Sequence, residues 1–167
     1  MADLLDVVRY LCVNYPYKDE LSKARVVKMI YLADWRSAIV YGRTITDITW
    51  VFNHYGPYVE RPISEARSAP GFHINESRTM YGNLKETVSF QGEPIWPSLS
   101  DREIEVLDHV IETTKSKTWS SFLNLVYSTY PVSTQERYSE LDLVTLASQY
   151  RDVRSDFDWG VPRRIEP

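Results

Sequence analysis

Apolar positions recur at helical spacing toward both ends of the chain and alternate, strand-like, in the stretch between. In residues 4–15, Leu4, Val8, Leu11 and Tyr15 form one stripe that Leu5 and Cys12 widen. Pro16 predicts the stop of that helix, because a proline forces the preceding residue out of the α region. Residues 21–41 are the most hydrophobic segment, with Asp19 or Ser22 as cap and Gly42 as terminator. At about 100° per residue, Arg25, Lys28 and Arg36 share an arc of about 80°, while Val26, Val27, Met29, Ile30, Tyr31, Ala33, Trp35 and Ala38 cover the rest. Such a helix is expected to be buried on most sides and to be the central element.

After Gly42 the period shortens. Ile48, Trp50 and Phe52 alternate on one face of a predicted strand over 48–53, which runs into Asn53-His-Tyr-Gly-Pro-Tyr, with the turn expected at Gly-Pro. Pro57 is expected to open a short helix over 58–67, with Pro62 as its weak point. Residues 72–80 and 84–90 read as strands around Tyr81-Gly-Asn. Ser100 and Glu103 spell a capping box, with Leu99 placed to staple onto Ile104 and with Ile104, Leu107, Val110 and Ile111 facing inward. Two more helices are predicted. One covers 118–130, with Phe122, Leu123, Val126 and Tyr127 inward and a stop at Pro131. The other covers 140–150, carrying Leu141, Val144 and Leu146.

The expected fold class is therefore α+β, mainly α: a helical domain around a central buried helix (21–41) with a small antiparallel sheet (48–53, 72–80, 84–90). One domain over 1–153 is expected, then a tail over 154–167 that includes Trp159 and Gly160.

Composition excludes several classes. With 167 residues, 43% apolar, 25% charged and 13% aromatic, the chain is too rich in rings for disorder and long enough to bury a core. No run approaches the ~18 apolar residues of a membrane span. The first residues carry acids and no basic region before an apolar stretch, so no signal peptide and a cytoplasmic location are expected. Cys12, the single cysteine, makes no intrachain disulfide. The net charge is −4, all of it from residues 101–167, which disfavours nucleic acid and favours a protein partner.

Catalytic signatures are missing. There is no P-loop, no G-x-G-x-x-G after a strand, no G-x-S-x-G and no His-Glu-x-x-His. His54, His73 and His109 sit in unlike elements, which argues against a metal site. Asp101, Glu103, Glu105 and Asp108 crowd a helix N-terminus, where complementing its dipole explains them. No enzyme, cofactor or metal is expected; only Asp34 with His54 hints at a reactive pair.

Two features invite a second reading. Asp34 falls on the apolar side of the central helix, where a lone carboxylate would cost several kcal/mol. Either it accepts hydrogen bonds from backbone N–H groups or a tyrosine in the loop above, or it anchors a recognition groove; the general satisfaction of buried polar groups favours the first. The aromatic turn, with Trp50, Phe52, His54, Tyr55 and Tyr58 around Gly56 and Pro57, is either core packing or an exposed interface rim.

Three separated blocks carry a family resemblance. They are a lysine-bearing helix ending in Tyr31-Leu-Ala-Asp-Trp-Arg-Ser-Ala, then Tyr41-Gly-Arg-Thr-Ile-Thr, then Trp50-Val-Phe-Asn-His-Tyr-Gly-Pro-Tyr-Val. In order and spacing they resemble the Panacea, or SocA-like antitoxin, domain over about residues 5–150. The resemblance implies a cytoplasmic bacterial or phage protein that neutralises a cognate protein toxin by direct binding, without a cofactor. It also implies a protease as a second partner if the chain acts as a proteolytic adaptor, and it does not specify an oligomeric state. Family-motif and candidate partner-binding residues are Asp34, Trp35, Trp50, Phe52, His54, Tyr55, Gly56, Pro57 and Tyr58. A groove between the central helix and this turn would take an apolar or basic toxin segment. Competing functions are a phage-defence regulator and a DNA-binding autoregulator, with helices 101–115 and 118–130 and the 72–90 hairpin imitating a winged helix-turn-helix. Its second helix, however, offers no Arg or Lys to bases.

Overall fold

The computed structural model describes residues 1–156, the last two as backbone alone; Trp159 and Gly160 of the expected tail lie outside the described residues. Helix α1 (Leu4–Asn14) starts where the Asp3 carboxylate accepts the Leu5 N–H, and it ends at extended Tyr15 before Pro16. Helix α2 (Lys23–Tyr41) is capped by the Ser22 hydroxyl and closed by Gly42, whose φ of +72° is left-handed. It packs against α1, α3 (Arg61–Arg67), α4 (Asp101–Thr114) and α7 (Leu143–Asp156). Val40 is the one exposed residue along α2.

The polar arc of α2 is itself covered: Arg25 is 3% and Lys28 2% exposed. Arg25 lies over the Phe122 ring, 4.7 Å from its centroid, and donates to the Tyr15 hydroxyl at 2.7 Å and the Lys117 carbonyl at 3.3 Å. It thus ties α2 to the segment between α4 and α5 (Trp119–Ser128). At the other end of α2, Arg151 of α7 donates to the carbonyls of Ala38 and Ile39 in the last turn, where helical carbonyls run short of donors; Ala38 accepts the Gly42 N–H as well.

The fold class is as expected, but the strands divide between two sheets instead of one. β1 (Trp50–Asn53) lies between β2 (Gly56–Pro57) and β5 (Glu140–Leu141), all antiparallel. β3 (Phe72–Arg78) and β4 (Leu84–Phe90) form a separate hairpin. That hairpin leans on the start of α2 through a bridge between Ser22 and Thr87 and the Val88 N–H to the Leu21 carbonyl. Strand patterns mark which residues can pair and not with whom, and here Glu140 and Leu141, far along the chain, supply the third strand of the first sheet.

Three boundaries differ for a common reason, the place of a backbone N–H. Pro62 stands in the first turn of α3 and starts it, because the N–H that proline lacks has no helical acceptor there. Pro131 does the same for a short helix, α6 (Tyr130–Thr134), that follows α5 directly. Residues 140–141 are a strand because their backbone pairs with Trp50 and Val51; the helix begins after them, with Leu143, Leu146 and Ala147 buried and Val144 exposed. The Ser100–Glu103 capping box forms as read.

Candidate functional site

Asp34 accounts for how the end of α2 is joined to β1. Its carboxylate accepts from the N–H groups of Ile45 and Thr46 at 2.8 and 2.9 Å, from the Thr46 hydroxyl at 2.6 Å and from the Trp50 indole at 2.9 Å. The side chain is 0% exposed. Burial pushes its carboxyl up to about 6, against the pull of these donors toward the charged form. Of the two readings of Asp34, the internal one is realised, with an indole and a hydroxyl in place of the expected tyrosine. A partner docking on the surface does not reach it.

Trp50 is thereby fixed at the head of β1, edge-to-face with Tyr31. Asn53 pairs with Gly56, so the reversal falls on His54-Tyr55, and Gly56-Pro57 is the returning strand instead of the hinge. Gly56 has φ +96°, a left-handed conformation that favours glycine, and it packs close to the Tyr127 ring. This tight turn lifts His54 and Tyr55 into solvent, Tyr55 being 76% exposed. Tyr138, which has φ +70°, closes in beside them: its N–H donates to the Phe52 carbonyl, and its hydroxyl is 3.0 Å from His54 Nδ1. His54 and Tyr55 stack edge-to-face at 4.5 Å.

Behind the turn lies a cleft of about 300 Å³ lined by Lys23, Ala24, Lys28, Asn53, His54, Tyr55 and Tyr58. Lys28 forms its floor. The ammonium donates to the Pro57 carbonyl over a long 3.4 Å and lies 5.6 Å from the Tyr58 ring centroid. Burial alone pulls it down to about 8, still protonated for the most part at neutral pH. At the rim, Lys23 is shared between Glu60 at 3.7 Å and Glu86 at 3.5 Å. Tyr58 donates to Glu60 at 2.6 Å, and its hydroxyl pKa is raised by burial and by that carboxylate.

The nine candidate residues thus separate by depth. Asp34, Trp35, Trp50, Phe52, Gly56 and Pro57 are buried, and all of these but Trp35 build or brace the turn; Tyr58 is half-buried; His54 and Tyr55 face outward. Trp35 sits apart from the turn, edge-to-face with Tyr150. The Asp34–His54 pair is not brought together, since each is bonded elsewhere. His54, His73 and His109 do not converge, and among the described residues no group of His, Cys, Asp and Glu is arranged to hold a metal. Cys12 is buried, which pushes its thiol up to about 12 and keeps it protonated. Two residues escaped the sequence reading. Lys28 was masked by its place in the polar arc, although one cationic arc on an otherwise buried helix is itself a signal. Tyr138 carries no local signal, because β5 brings it to the turn.

With this geometry in place, a model of the antitoxin SocA-like, Panacea domain matches residues 26–131. The chain belongs to that family. The match begins inside α2 and ends within α6, so it spans Lys28, Asp34 and the whole aromatic turn, while α1, β5 and α7 lie outside it. No curated protein and no solved structure matches the chain. Membership supports an antitoxin role with a toxin as partner, and it favours a non-enzymatic one. No helix among the described residues is long and apolar enough to cross a membrane.

Proposed function

We propose that this chain neutralises a cognate protein toxin by binding it directly and stoichiometrically, on the face formed by His54, Tyr55, Tyr138 and the adjoining cleft. The observation that carries the reading is the aromatic turn of a matched antitoxin domain, which stands in solvent on a hydrogen-bonded base. A scaffold of buried hydrogen bonds behind exposed tyrosines costs little ordering on association, and tyrosine is enriched among residues that dominate interface energy. The absence of Lys and Arg from α5 weighs against base contacts by the imitation winged helix.

Co-expression with the product of the neighbouring reading frame tests the proposal. Rescue of growth, together with a complex of fixed stoichiometry on co-purification and an undiminished toxin level, is the expected result. A falling toxin level that depends on a protease would replace stoichiometric blocking by adaptor action. Failure of both rescue and complex formation would reject the reading.

A further inference from the structure

Lys28 is a buried charge that the described fold leaves without a countercharge. Its side chain is 2% exposed, and none of the ion pairs among the described residues includes it. An ammonium has three donors, and the long bond to the Pro57 carbonyl is the one hydrogen bond that Lys28 makes here. If the residue served packing alone, methionine or leucine would fill the space without the desolvation penalty of an ion. The ammonium lies at the floor of an open cleft whose walls include the rings of Tyr55 and Tyr58. A cation in such a place is a seat for an anion that arrives from outside.

We propose that this cleft receives an acidic side chain of the toxin, an Asp or Glu carboxylate seated on the Lys28 ammonium, with a neighbouring apolar or aromatic residue against Tyr55 and Tyr58. The identity of the partner rests on the antitoxin reading; the chemistry of the pocket does not. A single negative charge is what the surroundings accept. Lys23 is already shared by Glu60 and Glu86, and those rim carboxylates oppose a second negative charge on the ligand. His54, Tyr55 and Tyr58 are the other titratable groups facing the cleft. No arginine lines it, so the fork that favours phosphate is missing. The basic segment expected from the net charge would set like charge against Lys28, and an acid on a slender side chain instead reaches the floor. The resulting charge-assisted bonds are shorter and stronger than neutral ones.

The test titrates the full chain, by calorimetry and by NMR of the lysine ε-carbons, with a blocked pentapeptide bearing a central glutamate between leucine and tyrosine. Its glutamine counterpart is the control, and a third peptide has no acid except a free C-terminus. The glutamate peptide is expected to bind at least tenfold more tightly than the glutamine one and to move the Lys28 ε-carbon signal. That preference is expected to disappear in a Lys28→Met variant that melts cooperatively. Should that variant not fold, the Lys28 signal of the unmodified chain decides alone. Equal binding of glutamate and glutamine peptides, binding of neither, or a preference that survives Lys28→Met overturns the proposal. Tighter binding of the free-terminus peptide overturns it in favour of a chain-end carboxylate. Growth rescue separates the two readings: rescue that Lys28→Met leaves intact sinks the pocket alone. A glutamate preference without any rescue sinks the antitoxin reading alone.

Discussion

Asp34 and Lys28 stand on the same helix, both inside the protein, and they differ in what surrounds the charge. Around Asp34 the loop after Gly42 folds back and aims two backbone amides, a hydroxyl and an indole at one carboxylate. Around Lys28 there is one distant carbonyl and the face of a ring. A buried charge with its bonding complete is a fastener, and it determines the path of the chain. A buried charge with its bonding incomplete is a liability to folding that a ligand can relieve. The cleft borders the second and not the first, although the sequence made Asp34 the more conspicuous of the two.

Breaking the fastener should have the largest effect. Asp34→Ala leaves buried donors unsatisfied and is expected to cost about 3–5 kcal/mol, measured by urea unfolding. A loss below about 1 kcal/mol would mean that the loop is held by packing instead. Lys28→Met should do the opposite and stabilise the free protein by about 2 kcal/mol at pH 7, since an apolar chain of similar length replaces an unpaired ion.

The same contrast has a pH signature. The Lys28 pKa falls from 10.5 in the unfolded chain to about 8 in the fold, so between those values the unfolded state holds more protons. Stability from this group therefore rises as pH climbs from about 8 toward 10.5, and the penalty is full below about 8. The raised thiol of Cys12 works against this in the same range, so the readout is the difference between two proteins. The advantage of Lys28→Met at pH 7 should shrink steadily by pH 10 in parallel urea titrations. A gap that stays constant would show that Lys28 keeps an ordinary pKa.

The exposed rings complete the series. Tyr55→Ala should change stability by less than about 0.5 kcal/mol, yet weaken toxin binding tenfold or more in a co-purification or calorimetric assay. Tyr138→Gly should be smaller still in stability, because relief of a non-glycine residue at φ +70° offsets the entropy gained by the unfolded chain. A large loss of stability from either would move that ring from the interface to the fold.

Much of this molecule was legible from local chemistry. The capping box at Ser100, the stop at Gly42, the turn at Gly82 and the apolar sheath of α2 follow from rules that act within a few residues, and they stand where they were expected. The need for a partner at Asp34 was also readable, because an apolar helix face cannot leave a carboxylate bare. What the residues could not announce was which distant segments would meet. Pairing of β5 with β1 puts Tyr138 against His54 and divides the strands between two sheets. Closure of Arg25 under Phe122 and of Lys28 under Tyr58 turns a polar stripe into buried ions. Caps and periods are set by neighbours in the chain, whereas the surroundings of a charge are set by every element packed around it.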